Sequence, residues 1–236
     1  MVIAIIAILA ALLLPVLGKA KDSAMRTRCM NNLKQTAMAM EAYNGDNTQF
    51  PARSKGGATG YTSDVFMSSW NGFWDLRPQI APYIGDFSIY TCPNMAHDGV
   101  KNIDDPSVWR TWGTYATYSY FADIQTPQFG KMGVSTPKSS QDATNPATFP
   151  LVQDRLWYPP ARDRNGLYNH GPGSFGAWGS NHPAAATISG LTPQGAAISF
   201  YDGHAGWYGF TALDDVGAIT ANGSHQLHEY SVQPDW

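Results

Sequence analysis

Charge is scarce in this chain. Lys, Arg, Asp and Glu make up 14% of its 236 residues, the formal net charge is −3, and nothing in that balance calls for nucleic acid as a partner. Catalytic signatures are missing too. There is no Gly-x-Ser-x-Gly elbow, no phosphate-cradling glycine loop, no dinucleotide fingerprint and no compact metal motif such as His-Glu-x-x-His. These absences set the expectation that the protein is not an enzyme. Internal repeats and low-complexity tails are also lacking. With 43% hydrophobic residues the composition is ordinary for one compact domain, while 23 glycines and 16 prolines predict frequent turns and long loops.

Against that background one stretch has no polar side chain at all. Residues 2–17 read V-I-A-I-I-A-I-L-A-A-L-L-L-P-V-L and are followed at once by Gly18-Lys19-Ala20-Lys21. As a helix the run reaches roughly 24 Å, short of the roughly 30 Å hydrocarbon core of a bilayer. Three readings compete: a cleaved secretory signal, an ordinary transmembrane anchor, and the first half of a longer helix that waits in a membrane and later packs into a filament core. A secretory signal opens with basic residues, and none precedes this run. Beyond it, Met25, Cys29, Leu33, Thr36, Met40 and Tyr43 recur at steps of three and four, one stripe of a helix. Joined without a break, the halves predict one helix of about forty-five residues, far above the 8–20 typical of globular domains. Pro15 predicts a kink rather than an end. Asn44-Gly45 predicts the stop.

The apolar run with G-K-A-K, then R-C-M-N-N-L-K-Q, A-Y-N-G-D-N and Phe50-Pro51, closely resembles type IV pilin-like proteins, or pseudopilins. More narrowly it resembles the group with a prepilin-type N-terminal cleavage and methylation segment found in planctomycetes, verrucomicrobia and lentisphaerae. The resemblance covers residues 1 to about 51, with later echoes in Cys92-Pro93 and in a His followed by an Asp-Gly-His turn. It implies an α+β, pilin-like fold: a long N-terminal helix with an apolar first half, packed on an antiparallel sheet head with long loops. Residues 1–45 are then the transmembrane and assembly helix, and residues 46–236 the extracytoplasmic head.

The implied function is that of a structural subunit of a type IV pilus-like or type II secretion pseudopilus-like assembly, held in the inner membrane before polymerisation. Its partners would be copies of itself or other pilin-like subunits. Members of the group carry a basic leader ending in Gly and a Phe-Thr-Leu-Ile-Glu type start. Met1 falls where they are already inside the helix, so the expectation is a late gene start or a fragment, with prepilin peptidase a partner where a leader exists. The alternative function is a membrane-anchored binding head, for glycan for example, or an enzymatic head with the helix as tether only. Lys19, Lys21, Arg26, Arg28 and Lys34 would by themselves place this flank in the cytoplasm. Pilin-like proteins face the other way, oriented by leader charges, and the resemblance is followed here. The cluster itself reads as a solvated helix face.

With the helix set aside, about 190 residues remain for the head, enough for a real core. If the head lies outside the cytoplasm, Cys29 and Cys92 can form a disulfide tying the helix to the first strand, and otherwise they are two buried thiols. Residues 45–91 read as a long connection, in which Trp70, Phe73 and Trp74 near Pro82-Tyr83 either stack on sugar or cover a small core. Strands are expected at 87–92, 113–121, 148–153, 196–201 and 204–210, with Asp202-Gly203 a two-residue hairpin turn. Residues 60–69 and 125–145 are expected to be surface loops.

The residues with chemical interest are His182, Asp202, Gly203 and His204, with Asp154 at the end of another strand. The family's late signature is a His about nine residues before an Asp-Gly. Here residues 183–201 separate His182 from Asp202, and residues 187–195 look like the insertion that lengthens the spacing. Converged, two imidazoles and one or two carboxylates could take a divalent cation. Unconverged, Asp202 bonds its own turn and His182 holds a loop. Asp104-Asp105, Asp214-Asp215 and His97-Asp98-Gly99 read as turn residues, and His225 and His228 as surface residues.

Overall fold

The computed structural model describes residues 2–51, 66–67, 74–90, 92–93, 118–122, 137–154, 156–158, 167–168, 170, 193–218 and 228–231. Its first element is a single helix, α1 (Val2–Asn47), with Pro15 inside it. The two halves of α1 differ as the residue pattern predicts. Every large apolar residue from Val2 to Leu17 is more than half exposed, whereas Cys29, Leu33, Ala37 and Met40 are fully buried. Met25 and Tyr43 flank that stripe half-buried, and Thr36 satisfies its buried hydroxyl on the Asn32 carbonyl at 2.9 Å. The expected stop at Gly45 falls two residues early. Helical geometry runs on to Asn47, and the left-handed residue that follows is Thr48, at φ 60°.

The described parts of residues 45–91 hold more than a plain connection. They contain β1 (Phe66–Met67) paired with β2 (Trp74–Asp75), α2 (Arg77–Ile80) and 3₁₀ turns at Ala81–Tyr83 and Phe87–Tyr90. The last of these replaces the strand expected over 87–92. Asp86 explains the change: its carboxylate accepts from the Ser88 amide at 2.8 Å and from the Ser88 hydroxyl at 2.7 Å, and such a local bond starts a turn rather than a ladder. The strand Phe66–Met67 also corrects the loop expected at 60–69, whose other residues lie outside the described ones. Trp70, Phe73 and the side chain of Trp74 lie outside the described residues.

The head is built on two antiparallel four-stranded sheets. In chain order the strands are β3 (Tyr118–Tyr120), β4 (Pro150–Asp154), β5 (Leu156–Tyr158), β6 (Leu167–Tyr168), β7 (Gly195–Phe200), β8 (Ala205–Gly209), β9 (Asp214–Ala218) and β10 (His228–Ser231). One sheet runs β3-β4-β7-β8 and the other β6-β5-β10-β9. Asp214-Asp215 therefore opens a strand rather than a turn, and His228 begins β10, while His97 to Gly99, Asp104-Asp105 and His225 lie outside the described residues.

The central strand β7 shows why the core holds together. Ala197 joins the core under α1 with Leu33, Met40, Leu151 and Tyr118, while Ala196, Ile198 and Phe200 join Leu156 and Leu213 on the other side. Successive residues of a strand point to opposite faces, so a strand covered on both sides carries an unbroken small and apolar sequence. Gly195 begins β7 at φ 149°, where a Cβ would collide with the Tyr208 carbonyl oxygen on β8.

The β7–β8 hairpin is present, with one more loop residue than expected. Phe200 N–H donates to the His204 carbonyl at 2.9 Å and Gly203 N–H to the Phe200 carbonyl at 2.9 Å, leaving Tyr201-Asp202-Gly203 as a three-residue loop. Gly203 takes φ 83°, the left-handed position that such loops need. Tyr201 is drawn into the core: its ring packs edge-on against Phe50 and Phe149, and its hydroxyl donates to the Pro137 carbonyl at 2.9 Å.

Candidate functional site

The residues of chemical interest separate into two places. Asp202 and His204 stay together on the exposed hairpin loop, where Asp202 Oδ1 accepts from His204 N at 3.1 Å and meets His204 Nδ1 at 2.6 Å. The imidazole stacks flat on Phe200, centroids 4.2 Å apart. Asp154 is elsewhere, at the opposite end of the β4–β7 ladder and fully buried. The expected convergence of Asp154 with Asp202 and His204 does not occur, because a strand's length separates them. His182 lies outside the described residues.

Asp154 instead joins a buried cluster with both cysteines and a histidine that the residue pattern did not single out. Cys29 comes from the packed half of α1, Cys92 follows the 3₁₀ turn Phe87–Tyr90, Asp154 ends β4, and His170 follows β6. None is more than 2% exposed, and the four donor atoms lie within 4.8 Å of one another. Cys29 Sγ is 2.6 Å from Cys92 Sγ, Cys92 Sγ is 3.4 Å from His170 Nε2, and that nitrogen is 3.3 Å from Asp154 Oδ2. Asp154 Oδ2 also accepts the Ala197 amide of β7 at 2.8 Å, a side chain standing in for a ladder carbonyl. The carboxylate thus fixes both the sheet and the imidazole.

Local electrostatics follow from this geometry. Burial works against a charge on His170, yet the Asp154 carboxylate outweighs it through its charge and hydrogen bond, with help from Cys92, and lifts the imidazole to about 10. Cys29 is pushed far above the ordinary thiol range, first by its hydrogen bond to Cys92, then by burial and by Asp154. For Cys92 burial pushes the same way, but the hydrogen bonds from Cys29 and His170 and the imidazolium charge bring it below its ordinary value.

An outer layer closes the cluster. The Trp207 ring of β8 meets His170 edge-on at 5.1 Å, and Arg26 of α1 lies over the same indole, 4.5 Å from its centroid. Arg26 also donates from Nη2 to Gln194 Oε1 at 2.6 Å. It is therefore a docking residue between helix and head, whereas Lys19, Lys21, Arg28 and Lys34 are exposed, as expected of a solvated helix face.

Residues 18–129 match the family described as "Protein of unknown function (DUF1559)". No curated protein and no solved structure matches the chain. The matched stretch is a little under half of the chain and includes Cys29 and Cys92, but ends before Asp154 and His170.

A signal for His170 was present in the sequence but masked by spacing. Gln194 N–H donates to the His170 carbonyl at 2.9 Å, which sets Gln194 directly beside His170. Without residues 171–193, eight residues separate His170 from Asp202. That is close to the His-to-Asp-Gly interval the resemblance implies; the insertion expected at 187–195 lies, apart from residues 193–195, outside the described residues.

Proposed function

We propose that this protein is a membrane-anchored structural subunit, pilin-like in design, whose head stands outside the cytoplasm and whose helix packs against copies of itself or of related subunits. One observation carries the reading. The helix α1 as a whole is long and apolar enough to cross a membrane, and none of its most apolar stretch is buried in the described core. Eleven large apolar residues between Val2 and Leu17 stand exposed on it. Monomeric soluble proteins rarely expose such a continuous apolar surface. At about 0.3–0.6 kcal/mol each, those eleven side chains favour lipid over water by roughly 3–7 kcal/mol.

A tether would need only this half of the helix. The second half argues for more than a tether, because it continues without interruption into the head and is clamped there by its buried stripe. Such a join holds the apolar half at a fixed angle to the head, as identical subunits need when they exchange lipid contacts for each other's helices. The resemblance to pseudopilins points the same way, with a pilus-like or secretion-type filament as the assembly and no catalytic role for the head.

Shearing cells and pelleting the released material tests the reading. Polymers containing this chain, abolished when Leu9 and Leu13 are changed to Asp, are expected. A chain that stays monomeric in the membrane while its head retains glycan supports the tether alternative and removes the filament.

A further inference from the structure

We propose that Cys29 and Cys92 are joined by a disulfide in the mature protein, a covalent staple between the membrane-facing helix and the head. The inference rests on the extracytoplasmic placement of the head proposed above. The two sulfurs lie 2.6 Å apart. That is far inside the roughly 3.5–4.0 Å of ordinary non-bonded contact. It is also close to the roughly 2.05 Å of a disulfide bond, which forms and persists in oxidising compartments.

The same four residues invite a different reading, a zinc ion held by two thiolates, a carboxylate and an imidazole. Distance decides against it. With bonds of about 2.3 Å in a tetrahedron, two sulfurs on one zinc stand roughly 3.8 Å apart, so Cys29 and Cys92 would have to separate by more than 1 Å in a packed core. The surroundings agree. Asp154 and His170 already satisfy each other, and Asp154 takes a second bond from the Ala197 amide. A neutral disulfide beside that pair needs no further partner. A thiolate on Cys29 would instead face the Asp154 carboxylate across a dry pocket.

Formation requires an oxidant of the disulfide class, a protein dithiol oxidase or a small disulfide. The Cys92 thiolate attacks one sulfur of the oxidant and releases the first thiol. Cys29, losing its proton, attacks the Cys92 sulfur of the mixed disulfide and releases the second. One sulfur–sulfur bond forms, one breaks, and two electrons and two protons pass to the oxidant. Because both sulfurs are buried in the folded chain, this exchange precedes docking of α1 on the head. Afterwards the bond is shielded from external reductant.

The test uses the full chain extracted from its own membranes, denatured in an alkylating agent without reductant, and weighed. The expected result is no adduct, two adducts once reductant is added after denaturation, and no stoichiometric zinc in the undenatured sample. Two adducts without reductant overturn the proposal, and one zinc per chain in the same sample establishes the metal site in its place. The measurement needs no variant and no polymer. Sheared filaments carrying two alkylatable thiols remove the staple and leave the filament, whereas a bonded chain that never polymerises does the reverse.

Discussion

Replacing Asp154 by Asn should uncouple the buried His170 from pH. The substitution keeps an oxygen for the Ala197 amide and removes only the charge that holds the imidazole protonated. In the folded protein the His170 value is raised to about 10, from an ordinary 6.5. A group raised on folding contributes its full stabilisation below the unfolded value and loses it as pH rises through the folded one. The loss is about 1.4 kcal/mol per pH unit, so raising pH from 7 to 9 should cost the wild type about 2.7 kcal/mol. With Cys92 in a disulfide only the Asp154 contribution remains, and the fall ends below pH 10.

For a chain of this size 1 kcal/mol moves the melting temperature by about 2–4 °C, which makes the expected drop about 5–11 °C. The assay is thermal unfolding of the detergent-solubilised full chain at pH 6, 7, 8 and 9. Asp154→Asn should be destabilised by about 3–5 kcal/mol at pH 6, as when one partner leaves a buried pair, and then show no fall between pH 7 and 9. A wild type whose melting point does not change between pH 7 and 9, or a variant that keeps the wild-type slope, would refute the buried ion pair.

Leu33→Ala should cost about 2–5 kcal/mol of head stability, since Leu33 is fully buried beneath the sheet, while Leu12→Ala, 66% exposed, should leave the melting point unchanged and weaken retention in the membrane. Equal losses for the two would mean that α1 is not divided as described. Gly195→Ala should lower stability by about 3 kcal/mol or abolish folding, because the new methyl meets the Tyr208 backbone and φ 149° suits no other residue; circular dichroism reads it. Burial raises the Glu41 carboxyl, and its Oε1 is buried without a partner, so Glu41→Gln should melt at or above the wild type at pH 7. That advantage should disappear at pH 4, where the wild-type carboxyl is protonated as well; a Gln variant less stable at pH 7 would place Glu41 in a favourable ionised contact instead.

Elements whose side-chain period matched their burial were legible from residues alone. The α1 stripe appeared because Cys29, Leu33, Thr36 and Met40 face one core at helical spacing, and β7 and β8 because apolar and small residues flank a loop ending in glycine. Residues 87–92 misled because their alternation suits a strand, while the decision was made by Asp86, one residue outside the pattern. The site was half legible. Both cysteines and Asp154 were singled out and the two cysteines were expected to meet, but the arrival of Asp154 beside them depends on which face of β4 meets α1, and no local spacing encodes that. His170 was missed because thirty-one residues stand between it and Asp202 in the sequence, so no short interval pointed to it.

The position of the cysteine pair along α1 bears on how a helix-borne load would reach the head. Tension on residues 2–17 enters the packed half of α1 from its N-terminal end, so separation would begin at the first contacts, Arg26 and Cys29, and proceed toward Met40 one turn at a time. Peeling of that kind breaks contacts in series and needs far less force than shearing the whole stripe at once. Arg26 meets the head through one side-chain hydrogen bond and the face of Trp207, contacts that yield singly. The proposed covalent bond at Cys29, the first fully buried residue of the helix, would stop the peel there. Leu33, Ala37 and Met40 must then slip together. A staple at Tyr43 would close a shorter loop yet leave the whole stripe open to peeling, which gives Cys29 a mechanical reason for its place.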